Sequence, residues 1–589
     1  MRYPLLILIP FFAALNGACA QTTMHPDGVA GTTMLAQNDE GESLDQRVRR
    51  VLGKSPVIAD SGLDAEFLYK FLVAEIAGQR GDVALASEAY ADLARLSRDA
   101  KVARRATEIA LYAKRADLAL QSARLWHESD PDSLAAQRTL ADLLIQSGDL
   151  EAARPLISEV LAASPEGPGP SLMHLYQLCS AHPDKDAVAA LIRDLTEPYV
   201  GLPEAQYALA QAAYGSGQLK QALQSSERAL ELRPDWQQGA LLKAHLLGEQ
   251  DRNAALAFMQ AFLQTYPDAL DVRLNYARAL VSERRYPEAK SQFQMLLAAN
   301  PENANLVFTL GLLSAQIGDE PAADEHFRSA LALGYGDPDA VYFQLGQVNE
   351  RLDRFDDAAR WYRSVQAGDQ FVAAQSRYAL LLARNDGVEQ ARLYLQSLEV
   401  AEDGQRVQLV QAEAHMLREM REYGQSYAVL EQALVERPDN RALLYDVALA
   451  AEKIDRLDIA EEQLRKLIAL EPDSAQAYNA LGYTLADRTD RFDEAREYIA
   501  RALTLAPDDP FILDSMGWVE YRLGNVEESM QFLRRAYSIQ ADPEIAAHLG
   551  EVLWVSGVEH EAKKIWDESA KQHPDNETLQ RVMRKFLGR

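Results

Sequence analysis

At 589 residues, with 60 Lys and Arg against 88 Asp and Glu, the chain carries a formal charge of −28. A phosphate backbone would be repelled by such a surface, which sets nucleic-acid partners aside. Its two cysteines, Cys19 and Cys179, are too few for a disulfide framework, and the absence of β-branched runs sets strand-rich folds aside in favour of helices.

Residues 1–20 open with the basic Arg2 and an apolar run too short to span a bilayer, followed by small residues, the pattern of a secretory signal. Two processing outcomes fit. Ala18-Cys19-Ala20 obeys the small-x-small rule and would leave a soluble chain starting at Gln21. Gly17-Ala18-Cys19 behind Leu15 resembles a bacterial lipobox, with Asn16 where Leu is usual, and would leave a chain starting at lipidated Cys19. Ala20, rather than Asp, after that cysteine would imply delivery to an outer membrane. Residues 21–43, rich in Thr, Gly and Asp, read as a flexible tether. Within 44–62, Leu44, Val48, Val51 and Leu52 share one face of a short amphipathic helix opposite Arg47, Arg49 and Arg50. That face suits either a cap on the first helices after it or a docking surface for a partner or anionic lipid.

From residue 63 onward the chain repeats. Prolines close units at Pro131, Pro165, Pro234, Pro267, Pro301, Pro438, Pro472, Pro507 and Pro574. A small residue opens each second helix, as at Ala86, Ala153, Ala222, Ala289, Ala358, Ala460, Ala495 and Ala562, with an aromatic or aliphatic residue four places on, as at Tyr90, Phe293, Tyr362 and Trp566. Residues 476–507 show the unit most clearly: Tyr478, Leu481, Gly482 and Leu485 on one helix, a polar turn, then Ala495, Ile499, Ala502 and Pro507. This resembles the tetratricopeptide (TPR) signature, whose period is about 34 residues, with one extra residue in the turn. The resemblance implies an all-α TPR solenoid, a right-handed superhelix of about fifteen helix pairs with capping helices at its ends. The breaker cluster 166–170, a degenerate unit to Pro198 and Gly201-Leu202-Pro203 mark an expected hinge or change in superhelix curvature, giving an N-terminal arm (63–200) and a C-terminal arm (201–574). Cys179 in the degenerate unit reads as a small buried apolar group. Residues 575–589, with Arg581, Arg584, Lys585 and Arg589, suit a polar-faced closing helix.

No catalytic pattern stands out, and neither cofactor nor metal is expected. His560-Glu561 lacks the second His of a zincin because Lys564 occupies its place, and no nucleophile elbow or phosphate loop occurs. What remains is binding. In TPR proteins the first helices line a concave groove for partner peptides. Carried over position by position, the groove aromatics are Tyr207, Tyr214, Phe308, Phe343, Tyr445, Tyr483, Trp518, Tyr521 and Trp554, residue types that anchor interfaces well. The Lys–Asn pair of carboxylate-clamp TPR domains is missing: Asn479 and Tyr483 occupy its places. Signal, tether, all-TPR body and basic closing helix together are similar to envelope TPR lipoproteins that serve as adaptors for a carboxyl-terminal processing protease. That resemblance implies a periplasmic, outer-membrane-anchored, non-enzymatic protein that binds the protease and its cell-wall-hydrolase substrates. A TPR scaffold for polysaccharide secretion is the alternative; a TPR-fused enzyme is disfavoured because no αβ segment is present.

Overall fold

The computed structural model describes residues 65–588. Among them thirty-one α-helices and one short 3₁₀ turn follow one another without a strand: fifteen helix pairs, from Ala65–Gln79 with Val83–Ser97 to Pro543–Val555 with Glu559–Gln572, and a closing helix, Glu577–Leu587. The chain is therefore an all-α TPR solenoid. None of the described helices is long and apolar enough to cross a membrane. The cysteine, tether and amphipathic-helix assignments (Cys19, 21–43, and Leu44, Val48, Val51 and Leu52) lie outside the described residues.

Recurrent local chemistry starts and stops these helices. Two residues after a closing proline stands a helix N-cap: Ser133, Asn440, Ser474, Asp509 and Asn576 each accept a hydrogen bond from a backbone N–H of the next first helix. Six residues after the proline, a long polar side chain often reaches back to its carbonyl. Gln137 Nε2 donates to Pro131 O at 2.9 Å and Arg273 Nη2 to Pro267 O at 2.7 Å, and Gln580 does the same to Pro574. Many turns within a helix pair carry one left-handed residue, after which the following N–H returns to the carbonyl five residues back, as Asp149 N does to Leu144 O. Gly148 (φ +85°) and Gly524 (φ +88°) meet this with no Cβ to strain. Lys114 (φ +55°), Arg284, Asp353, Arg421 and Asp455 adopt the same conformation with a side chain. Replacing the exposed Lys114 with glycine is expected to stabilise its helix pair by about 0.5–1 kcal/mol, the relieved strain outweighing the added freedom of the unfolded chain. A urea midpoint that falls instead would contradict this.

The pairing within a unit rests on one close approach. A Cβ on Gly311 would sit 2.6 Å from Phe327, and one on Gly346, Gly482 or Gly517 would sit 2.5 Å from Tyr362, Ile499 or Leu533. Gly550 is pressed likewise onto Trp566. The glycine of the first helix thus receives the large apolar residue of the second, and both are held at interior packing density. Gly482 and Ile499 keep this contact although the turn between their helices is one residue longer.

The described residues form two compact units that divide between Pro301 and Glu302. The boundary does not fall near residue 200, where a hinge was expected. There a single core runs on: Leu144, Leu161, Leu172, Cys179, Leu191, Ala205 and Ala212 are buried in one cluster. Cys179 is indeed a buried thiol, pushed up to about 11 by burial and by Asp142. The prolines that suggested a break occupy first-turn positions, Pro170 in helix Gly169–Cys179 and Pro203 in helix Pro203–Gly215, where a missing N–H removes no helical hydrogen bond.

Candidate functional site

In the C-terminal unit the first helices Asp403–Glu419, Arg441–Lys453, Ala475–Arg488, Pro510–Leu523 and Pro543–Val555 lie side by side, ending on the closing helix. Between the first three of them opens a cavity of about 590 Å³, lined among others by Gln411, His415, Arg418, Asp446, Glu452 and Tyr483. Gln411 Nε2 donates to Asp446 Oδ2 at 2.6 Å, yet burial still holds the Asp446 carboxyl above the usual range. Burial and the neighbouring Arg418 guanidinium push the His415 imidazole down, toward its neutral form.

Further along the same face, aromatic rings and carboxylates gather around one buried imidazole. His548 Nδ1 lies 2.9 Å from Asp514 Oδ2, and its ring stacks on Trp518 with centroids 4.4 Å apart. Tyr483 approaches the same imidazole from two units earlier at 6.2 Å, and Tyr521 leans on Trp518 at 5.4 Å. Burial alone would make His548 neutral, but Asp514, helped by Glu544 and Asp487, outweighs it and holds the imidazole above its ordinary value. The Tyr483 phenol is held far above its ordinary value by burial and then by Asp487, Asp514, Glu544 and Glu452. Burial, with Asp542, also raises the Glu544 carboxyl. The local potential is therefore negative. At the end of the face Lys585 Nζ of the closing helix donates to Glu551 Oε1 at 2.8 Å, and Trp554 stacks on the buried Trp566 at 5.7 Å.

The nine aromatics expected in a groove divide into three groups. Tyr445, Tyr483, Tyr521 and Trp554 are half-buried along the face just described. Tyr207 and Tyr214 are half-buried in the N-terminal unit, against Trp236 and His245, each at 5.2 Å. Phe308, Phe343 and Trp518 are only 5%, 4% and 8% exposed. Phe308 is enclosed by Phe327 and by Tyr335 of the long loop at 4.3 Å, and Phe343 by Tyr362 at 5.9 Å, so both phenylalanines are packing residues that offer a partner no surface. Trp518 forms the floor beneath His548 rather than an open anchor. The polar members of the site, His415, Arg418, Asp514, Glu544 and His548, were not anticipated from sequence. A signal existed for Asp514: it stands one residue after the Trp place of its repeat, the spacing that selects Tyr445 in its own.

A contact far apart in sequence belongs to the same unit. Arg421 Nη2, in the turn after helix Asp403–Glu419, lies 2.5 Å from Glu577 Oε1 at the start of the closing helix, 156 residues on.

Comparison with known proteins agrees with this architecture. Profiles described as tetratricopeptide repeat match residues 116–168, 203–235, 246–310 and 445–510. A TPR repeat-containing protein of Pseudomonas aeruginosa is 36% identical over 491 residues, 82% of each chain. Among solved structures, a thermophilic TPR protein of Thermus thermophilus is 23% identical over 30% of this chain and 95% of its own, with a TM-score of 0.27. A tetratricopeptide repeat protein of Parabacteroides merdae is 14% identical over 48% of this chain and 98% of its own, with a TM-score of 0.33. Repeats of this kind build protein–protein interaction scaffolds, and with the long match to the Pseudomonas relative beside the Gly-to-aromatic ladder of its own helices, the chain belongs to the tetratricopeptide-repeat protein family.

Proposed function

We propose that this protein is a non-enzymatic adaptor of the bacterial cell envelope that holds extended protein segments along the first-helix face of its C-terminal unit. The observation that carries the reading is the continuous run of half-buried Tyr445, Tyr483, Tyr521 and Trp554 beside a 590 Å³ cavity. Half-buried tyrosines present an apolar ring and a hydrogen-bonding tip at low entropic cost, which suits polypeptide without a fixed sequence. In this reading lipidated Cys19 anchors the chain to the outer membrane, residues 21–43 hold the solenoid off the surface, and the partners are a carboxyl-terminal processing protease and the cell-wall hydrolases it degrades. Holding protease and substrate on one scaffold raises their effective concentration for each other.

In-cell crosslinking, affinity capture of the tagged protein and mass spectrometry test the partners. Recovery of a periplasmic processing protease together with cell-wall hydrolases is expected. Recovery of an outer-membrane pore with polysaccharide machinery and no protease would replace the adaptor by a secretion scaffold. The double variant Tyr483→Ala, Tyr521→Ala is expected to weaken substrate capture at least about tenfold while the far-ultraviolet helical signal is kept, given the usual cost of losing aromatic anchors. Unchanged capture by a folded variant would move the binding surface elsewhere.

A further inference from the structure

The carboxylates around Tyr483 have more negative charge than the structure compensates. Asp514 is matched by His548 at 2.9 Å. Asp487 and Glu544, on helices Ala475–Arg488 and Pro543–Val555, form no ion pair among the described residues. The neighbouring cations do not fill the gap. Arg522 is committed to the carbonyl of Ala486, which its Nη1 meets at 2.9 Å, and lies over the Phe492 ring. Lys453 only weakly offsets the charge felt by Glu544. The aromatic floor is equally incomplete, for the buried Nε1–H of Trp518 has no acceptor. Carboxylates left beside Tyr483 form the surroundings that favour a cation, which gains from a ring quadrupole and charge together. A guanidinium suits this best, being planar, weakly hydrated and able to fork onto a carboxylate while stacked.

We propose that this stretch of the face is a subsite for a basic side chain, arginine before lysine, of an extended protein segment, with the half-buried Tyr483 beneath it and Asp487 and Glu544 at its rim. The idea rests on the groove reading above and adds a chemical preference to it: partners dock through a segment carrying arginine, and segments acidic at that position are rejected.

The full-length protein, extracted from membranes in detergent, is titrated by fluorescence anisotropy with labelled, terminally blocked nonapeptides of Gly, Ser and Leu. These carry Arg, Lys, citrulline or Glu at the central position. Citrulline keeps the size and hydrogen-bonding shape of arginine and removes its charge. The Arg peptide is expected to bind at least about tenfold tighter than the citrulline peptide, with Lys between them and Glu weakest. Glu544→Gln and Asp487→Asn, neither of which breaks an ion pair, are each expected to shrink the Arg-to-citrulline ratio at least about threefold. Equal binding of the Arg and citrulline peptides by the wild-type protein overturns the subsite and leaves the groove reading standing. Failure of all four peptides to bind overturns both.

Discussion

Replacing Trp566 with alanine is expected to cost about 3–5 kcal/mol, the usual range for emptying a fully buried tryptophan site. Trp566 is 0% exposed. Gly550 is pressed against it, Trp554 and Phe586 stack on it at 5.7 and 5.9 Å, and its Nε1 donates to Ala547 O. It therefore ties three helices together, Pro543–Val555, Glu559–Gln572 and the closing helix. In an array whose units touch mainly their neighbours, the loss should stay local. Hydrogen exchange of the wild-type and variant proteins provides the check: protection is expected to fall across residues 543–588 and to persist in the units before residue 475. Uniform loss along the chain would mean that the C-terminal unit unfolds as one cooperative block.

Exchanging Asp514 for asparagine is expected to remove about 2–3 kcal/mol at pH 6, the scale of a hydrogen bond to a charged partner, and to remove a pH dependence with it. His548 is held above its ordinary value of 6.5, chiefly by Asp514 acting against burial, with Glu544 and Asp487 adding to it. A group whose folded value is raised binds more protons folded than unfolded, so its stabilisation is complete below 6.5 and disappears as pH rises through the folded value. The gap between wild-type and variant urea midpoints should thus be widest at pH 6 and narrow by pH 8.5. The raised Glu544 carboxyl acts in the same direction at lower pH. A gap that widens with pH would show that His548 is neutral in the folded protein.

Much of this was legible from residue spacing because a solenoid repeats its local rules. The glycine that admits a large residue from the second helix, the closing proline and the small residue opening that helix each recur at the period, and each matches a contact in the structure. What escaped was chemistry that differs between units. Phe308 follows the same spacing as Tyr445, but the longer loop after its unit brings Tyr335 over the ring and closes it off. Prolines at 170 and 203 read as breaks because a linear pattern does not reveal that they fall in first turns, where they are harmless. Asp514 and His548 sit on helices whose sequences look apolar with scattered polar residues. Only the stacking of one unit on the next places them within hydrogen-bonding distance, 34 residues apart.

The Arg421–Glu577 contact ties together two parts of the C-terminal unit that lie 156 residues apart in sequence. It brings the turn after helix Asp403–Glu419 and the start of the closing helix within ion-pairing distance, although several helix pairs lie between them. Both partners of the bridge are exposed, so parting them costs about 1 kcal/mol or less and becomes easier as salt rises. The bridge is therefore a salt-sensitive tie between two distant edges of the C-terminal unit.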